Sequence, residues 1–302
     1  MSKFLFLFLI LTIPSVANES LEKIATNQKN DYTNIQIKKL IKKIEKKLPR
    51  TEISVTNVEN VKPEYSILTV QPILFKEESL NTFFWQGSGF IHDNLDRQTI
   101  NFGLGYRKMV FEKKLLLGTN LFYDHEFPYN HKQASLGFEA KTLPIEFNSN
   151  VYKAVTNEKN GNNSFRETAL DGYDFEFGGH LPYIPSAKLF AKQFFRDTER
   201  RTDYEGQTYT MNFNDMILPG VTLDVGLIDH RYIENEYFVK ISFNTSKAIN
   251  YDKNKKIIQD YAYSFDTMEN ERLTKVRREN KIIKNTSGFG VTFRWKNILF
   301  YS

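Results

Sequence analysis

The side chains best suited to metal or acid–base chemistry in this 302-residue chain are five histidines: His92, His125, His131, His180 and His230. A zinc site could be composed of His92, His125 and His230 with Asp124 or Asp229, because imidazole nitrogen and carboxylate oxygen suit that ion. These residues fall on separate segments with no ligand-spacing motif, and interfacial His and Tyr at a membrane rim account for them better. Serine hydrolysis would need a hydroxyl, a base and an orienting polar group held together. No Gly-x-Ser-x-Gly elbow is present, and Gln86-Gly87-Ser88-Gly89 is better explained as a glycine-rich crossing strand. The sequence therefore assigns no catalytic, cofactor-binding or metal-ligating residue, and no enzymatic activity.

The elements that would carry these residues are more legible. Lys3, the apolar run Phe4 to Ile13 and the small-x-small site Ser15-Val16-Ala17 form a three-part secretory signal, placing a signal peptide at residues 1–17. Cysteine is absent, so an exported chain would use no disulfide. No other apolar run approaches the ~18 residues of a membrane-spanning helix.

The net charge of +5 is concentrated at Lys38 to Arg50, Lys253 to Lys256 and Lys275 to Lys284. In an exported protein such patches point to lipid headgroups or lipopolysaccharide, not to nucleic acid.

Residues 18–81 are polar, rich in Lys and Asn, and lack Gly. Ile35, Ile37, Leu40, Ile41, Ile44 and Leu48 recur at mostly helical spacing before Pro49, which predicts one amphipathic helix in a periplasmic lead-in segment. Self-association through that stripe is the sharper alternative to packing against a neighbour.

From residue 82 onward the texture changes to segments of roughly ten residues that alternate apolar and polar, the length of a tilted membrane strand. In Arg97 to Arg107, Ile100, Phe102, Leu104 and Tyr106 share one face, while Asn101, Gly103, Gly105 and Arg107 share the other. The pattern returns through Phe289-x-Val291-x-Phe293-x-Trp295. With an ambiguous first strand at Phe83 to His92 and a weak one at Glu271 to Arg278, the total is about twelve, an even number. The predicted class is all-β: a transmembrane antiparallel barrel over residues 82–302. A soluble sandwich shares the alternation, but its strands average only about 5–6 residues.

The connections orient such a barrel. Thr142-Leu143-Pro144, Leu181 to Ser186 and Asp215 to Gly220 are tight and marked by Pro, whereas Thr156 to Leu170 and Asp197 to Glu205 are longer and polar. Short turns face the periplasm and long ones the exterior. Thr245 to Asn270 is anomalous, being long yet periplasmic. On the polar face lie Arg107, Asp124, Glu139, Lys141, Glu146, Asp174, Glu176, Lys188, Lys192, Asp224, Lys240 and Arg294, whose mixed signs suggest cross-strand ion pairs more than a one-sign selectivity ring. Tyr106, Tyr123, Tyr173, Tyr209, Tyr237 and Trp295 fall toward strand ends, where barrels carry aromatic girdles.

Several blocks resemble the β-domain of inverse autotransporters, the intimin and invasin group. They include Phe102-Gly103-Leu104-Gly105-Tyr106-Arg107, then Leu117-Gly118-Thr119-Asn120-Leu121-Phe122-Tyr123-Asp124 with His131 and Leu136-Gly137-Phe138-Glu139-Ala140. Asp171-Gly172-Tyr173-Asp174 through Pro182, Pro185 to Phe194, and Leu273-x-x-Val276-x-Arg278-x-Asn280-x-Ile282 continue the match. The resemblance implies a twelve-stranded barrel in the bacterial outer membrane with both ends periplasmic, inserted by the general assembly machinery. In that family a segment after the last strand threads back through the pore and carries an adhesive passenger. With the last strand ending at Trp295, only Lys296 to Ser302 follow, so the expectation is a barrel without threaded linker or passenger. Its expected role is structural or adhesive at the cell surface; the alternative is a small passive channel. Expected partners are outer-membrane lipid and lipopolysaccharide, the assembly machinery, and periplasmic peptidoglycan or a second copy through the N-terminal helix.

Overall fold

The computed structural model describes residues 46–47, 49–59, 62–74, 76–92, 96–161, 165–198, 203–216, 218–249, 258–286 and 291–292. The chain divides into two compact units, Met1–Lys47 and Leu48–Ser302. Of the first only Lys46 and Lys47 are described, both helical. The signal peptide at 1–17 and the apolar stripe from Ile35 to Leu48 lie outside the described residues.

Strands β1 (Thr51–Val58), β2 (Glu64–Leu74), β3 (Asn81–His92), β4 (Arg97–Val110), β5 (Leu115–Phe127), β6 (His131–Lys141) and β7 (Ile145–Ala154) follow one another as antiparallel neighbours. The short strands β8 (Lys159–Asn160) and β9 (Arg166–Ala169) stand outside this series. The series resumes with β10 (Asp171–Leu181), β11 (Ile184–Asp197), β12 (Tyr204–Asn214), β13 (Val221–His230) and β14 (Glu236–Asn244), and β14 pairs with β1 to close a twelve-stranded barrel. No helix among the described residues is long and apolar enough to cross a membrane.

Alternation dictates which face each residue takes. Ile100 is 55% exposed on the outside while Asn101 beside it is 1% exposed inside. Phe102, Leu104, Leu121, Leu136, Phe138, Val151, Phe175, Phe177, Val239 and Ile241 extend the outer apolar band. The wall is built to leave room inside: a Cβ on Gly103 would collide with the Phe122 ring, one on Gly105 with Phe84, and one on Gly178 with Phe190. Each glycine thus lets an aromatic ring lie flat against the neighbouring backbone, as in aromatic rescue of strand glycines.

Alternation leads to the right number of strands, twelve, but two of them sit elsewhere. The strand expected first, Phe83 to His92, is β3; β1 and β2 lie inside the expected lead-in segment, so the barrel begins at Thr51 rather than residue 82. Leu68 and Val70 point inward, which blurs the alternation of β2, and Pro72 interrupts its register with β3. At the other end, Glu271 to Arg278 forms no barrel strand. Of Phe289 to Trp295 only Val291–Thr292 is described, as the short strand β16 outside the barrel.

The long stretch after β14 explains the anomalous connection. Helix α1 (Thr245–Ile249) follows β14 directly and lies by the β12–β13 turn, where Gly220 takes φ 80° and a Cβ would meet Ala248. Further on, the Gln259 and Tyr183 amides donate to the Tyr183 and Ala262 carbonyls at 2.8 and 3.0 Å, tying the chain to the β10–β11 turn. Met268 then packs with Leu143, Met109 and Leu116, and its amide donates to the Lys113 carbonyl at 2.8 Å in the β4–β5 turn. After a single 3-10 turn, Glu269–Glu271, the Arg272 guanidinium donates to the carbonyls of Lys76, Glu77 and Asn81 between β2 and β3. The stretch therefore visits successive short turns in barrel order, as a strap around the periplasmic rim.

From Arg272 the chain turns into the lumen and leaves at the opposite rim, where β15 (Lys284–Thr286) pairs with β9 and β16. Extended chain reaches about 3.3–3.6 Å per residue, so Arg272 to Thr286 is long enough to pass a hydrocarbon core of about 30 Å. The expectation that no segment could thread the pore is thereby corrected: the stretch whose pattern suggests a weak last-but-one strand is itself the threaded segment.

Candidate functional site

The lumen is polar by construction, and the threaded segment is matched to it residue by residue. Near the periplasmic entrance the Arg272 Nε donates to Thr82 Oγ1 at 2.7 Å. Arg107, fully buried, forks onto Glu139 and also donates to the carbonyls of Arg272 (3.0 Å) and Thr274 (2.7 Å). Lys275 Nζ meets Glu52 at 2.5 Å. At mid-height the Val276 amide donates to Gln86 Oε1 at 2.8 Å, while its side chain joins Leu68, Val70, Phe84 and Phe122.

Two adjacent arginines follow and diverge. Arg277 pairs with Glu176 and lies 3.6 Å over the Phe190 ring. Arg278 forks onto Asp124 at 2.9 and 2.6 Å, donates to Ser135 Oγ at 3.0 Å, and lies 4.4 Å over the Phe122 ring. The Tyr152 hydroxyl donates to Asp174 at 2.8 Å and accepts from the Glu279 amide at 2.7 Å. Asn101 reaches both Asp124 (2.6 Å) and the Asn280 carbonyl (3.0 Å). Lys281 pairs with Glu64, and Lys284 meets Glu126 at 2.5 Å. Bidentate arginine contacts fix orientation as well as charge, and a guanidinium on an aromatic face adds a cation–π attraction.

At the outer rim the threaded segment is clamped. The Leu170 amide donates to the Ile283 carbonyl at 2.9 Å, and Lys284, Asn285 and Thr286 register against Ala169, Thr168 and Glu167. Glu167 accepts from Arg97 at 2.6 Å and lies 3.1 Å from His131 Nε2. Burial alone would raise the Glu167 pKa, but the hydrogen bonds from His131 and Arg97 and the charges of Arg97 and Lys284 outweigh it and hold the group at about 2. On the exposed periplasmic side, the hydrogen bond and charge of Lys113 lower the Glu269 carboxyl below its ordinary value.

The residues singled out by type for metal or hydrolytic chemistry are dispersed. His92 bonds Thr99 at 2.9 Å, His125 stacks on Phe127 at 4.1 Å and bonds Asn130 at 3.1 Å, and His230 lies 3.6 Å from Glu236 beside Phe194 and Tyr204. Asp124 is taken by Arg278. Ser88 donates to Asn101 at 3.0 Å, in the lumen network rather than beside an imidazole.

The grouping that sequence reading misses is Glu126, His131 and Glu167, whose ligand-capable atoms lie within 4.8 Å of one another. It depends on β9 folding over the barrel mouth, which no spacing signals. Arg97 and Lys284 already hold both carboxylates at 2.5 to 2.7 Å, so two positive charges balance two negative ones and a divalent ion would have to displace them. The arrangement works as an electrostatic clamp.

Of the lumen residues expected from alternation, Arg107–Glu139 and Lys188–Glu146 are ion pairs between strands of the wall, and Lys141 meets Glu139 at 2.7 Å along β6. Asp124 and Glu176 instead face the threaded segment. Arg294 lies outside the described residues.

An apolar outer band, short turns at one rim, long connections at the other and a lumen occupied by the chain's own later segment define an outer-membrane β-barrel with an internal plug. The family model for the inverse autotransporter beta-domain matches residues 13–280, and the chain belongs to that family. It is 26% identical over 224 residues to intimin of Escherichia coli O111:H-, a match covering 69% of this chain and 23% of intimin. It is 30% identical over 122 residues to the inverse autotransporter adhesin YeeJ of Escherichia coli K12, covering 39% of this chain and 5% of that protein. The chain thus spans less than a quarter of the length of these relatives. A solved structure from work on in-meso crystallization of membrane proteins shares the fold, with a TM-score of 0.62, 22% identity, and coverage of 79% of this chain and 100% of that one. The protein resides in the bacterial outer membrane.

Proposed function

We propose that this barrel anchors and orients a cell-surface segment of an intimin-like adhesin, holding the chain beyond Thr286 at the exterior, and that it performs no catalysis. The observation that carries this reading is the threaded stretch Arg272 to Thr286, whose basic side chains are each given a carboxylate or backbone acceptor by the wall. A lumen so occupied disfavours the passive channel. Outer-membrane lipid and lipopolysaccharide surround the apolar band in this reading, and the general assembly machinery inserts the barrel. An epitope fused after Ser302 should bind antibody on intact cells; binding only after the outer membrane is permeabilised would refute the anchor function.

A further inference from the structure

The strap around the periplasmic rim presents a surface that neither the lumen nor the anchor function uses. Its inner residues face the barrel: Gln259 and Ala262 bond to Tyr183 through backbone, and Met268 is buried. Its outer residues Ile258, Tyr261, Tyr263 and Phe265 are between 42% and 66% exposed. Soluble surfaces seldom gather large apolar side chains in this way.

We infer that this strap is a membrane-interface belt, whose aromatic side chains insert at the headgroup and upper acyl level of the periplasmic leaflet. Three observations support a lipid occupant. First, the row is continuous with the established lipid face: the strap is bonded to Tyr183, itself 49% exposed, in the turn directly after β10, whose Phe175 and Phe177 lie in the apolar band. Second, the Gln259 to Ala262 part of the strap is held at the tip of the β10–β11 turn by its bonds to Tyr183, outside the barrel mouth that Met268 enters further on against the inward-facing Met109 and Leu116. Third, tyrosine suits this depth, since its ring prefers the acyl boundary while its hydroxyl stays among polar groups. Such a belt would fix the height at which the chain turns inward at Arg272, and so the register of the threaded segment. The inference rests on the membrane placement of the barrel.

Tryptophan quenching by brominated lipids tests both layers separately. In one variant Trp85 is the single tryptophan, with Trp295→Phe; Trp85 faces outward on β3, stacked on Phe102 at 5.9 Å. In the other, Trp85→Phe, Trp295→Phe and Tyr263→Trp leave a single tryptophan on the strap. Both are refolded into phospholipid vesicles and checked for heat-modifiable mobility. Trp85 should be quenched by bromines deep in the acyl chain, which establishes insertion. The strap tryptophan should be quenched best by bromines near the headgroup and shielded from aqueous acrylamide. If Trp85 is quenched and the strap tryptophan behaves as a water-exposed indole, the belt is refuted while the barrel stands. If the strap tryptophan is exposed in vesicles but shielded in native outer membranes, a protein partner covers the strap and the lipid proposal is overturned. Should the position 263 variant fail to fold, Phe265→Trp provides the same reading.

Discussion

Arg278 and Asp124 meet through two hydrogen bonds, at 2.9 and 2.6 Å, although more than half the barrel lies between them in sequence. Both side chains are essentially inaccessible, and the guanidinium also covers the Phe122 ring. The pair joins the threaded segment to the wall at mid-height. Removing one partner of such a pair leaves a buried uncompensated charge, at a cost of about 3–5 kcal/mol. Arg278→Gln and Asp124→Asn should each lower the temperature at which the purified barrel loses its heat-modifiable form. The double variant should be destabilised by clearly less than the sum, as coupled neighbours are. Additive losses would show that the two groups do not interact.

The glycine and ring pairs make a second prediction. Gly105→Leu should drive its side chain into Phe84, beneath Arg107, and overpacking of this kind costs about 1–3 kcal/mol. Leu104→Ile, on the lipid face of the same strand, should be nearly neutral. Equal refolding yields for both variants would contradict the ring placement.

Conductance tests the occupied lumen. The wild-type protein should be silent in a planar bilayer. Arg277→Glu with Arg278→Glu would set acid against Glu176 and Asp124, expelling the segment and producing open-channel steps. Steady wild-type conductance, or a folded double variant as silent as wild type, would contradict a plug held by these charges.

Acid should loosen the outer clamp. The Glu167 carboxyl is depressed from 4.5 to about 2 in the folded state, so the ionised form is the one the fold favours. Its contribution is complete above pH 4.5 and is lost as the pH falls through about 2. Hydrogen exchange at the Leu170 amide, which bonds Ile283, should accelerate across that window and do so less in Glu167→Gln. Identical pH profiles for the two proteins would remove Glu167 from the clamp.

Much of the barrel is legible in the sequence because lipid outside and water-compatible groups inside impose a two-residue period, clearest in Arg97 to Arg107. β2 escapes that pattern because Leu68 and Val70 turn inward against Val276, an apolar contact that breaks the alternation. The threaded stretch mimics a strand for the converse reason: its neighbouring side chains reach different lumen surfaces, Arg277 to Glu176 and Arg278 to Asp124, instead of lipid and lumen. Two strands hidden before β3 and two apparent strands after β14 leave the total unchanged and conceal the displacement. The clamp of Arg97, His131, Glu167 and Lys284 has no sequence signature, since its members come from two barrel strands, a loop strand and the exit strand.

The passage of the chain beyond β14 across the lumen, with its exit at the outer rim, is open to experiment in intact cells. Its most direct test uses the native absence of cysteine to place Thr168→Cys and Asn285→Cys, which are register partners between β9 and β15. Paired strands bring Cα atoms to about 4.5–5.5 Å, within disulfide range. After mild oxidation of intact cells, neither cysteine should react with an impermeant maleimide until reductant is added, and then both should react at the surface. Labelling without reductant, or labelling of position 285 only after permeabilisation of the outer membrane, would contradict the threaded path.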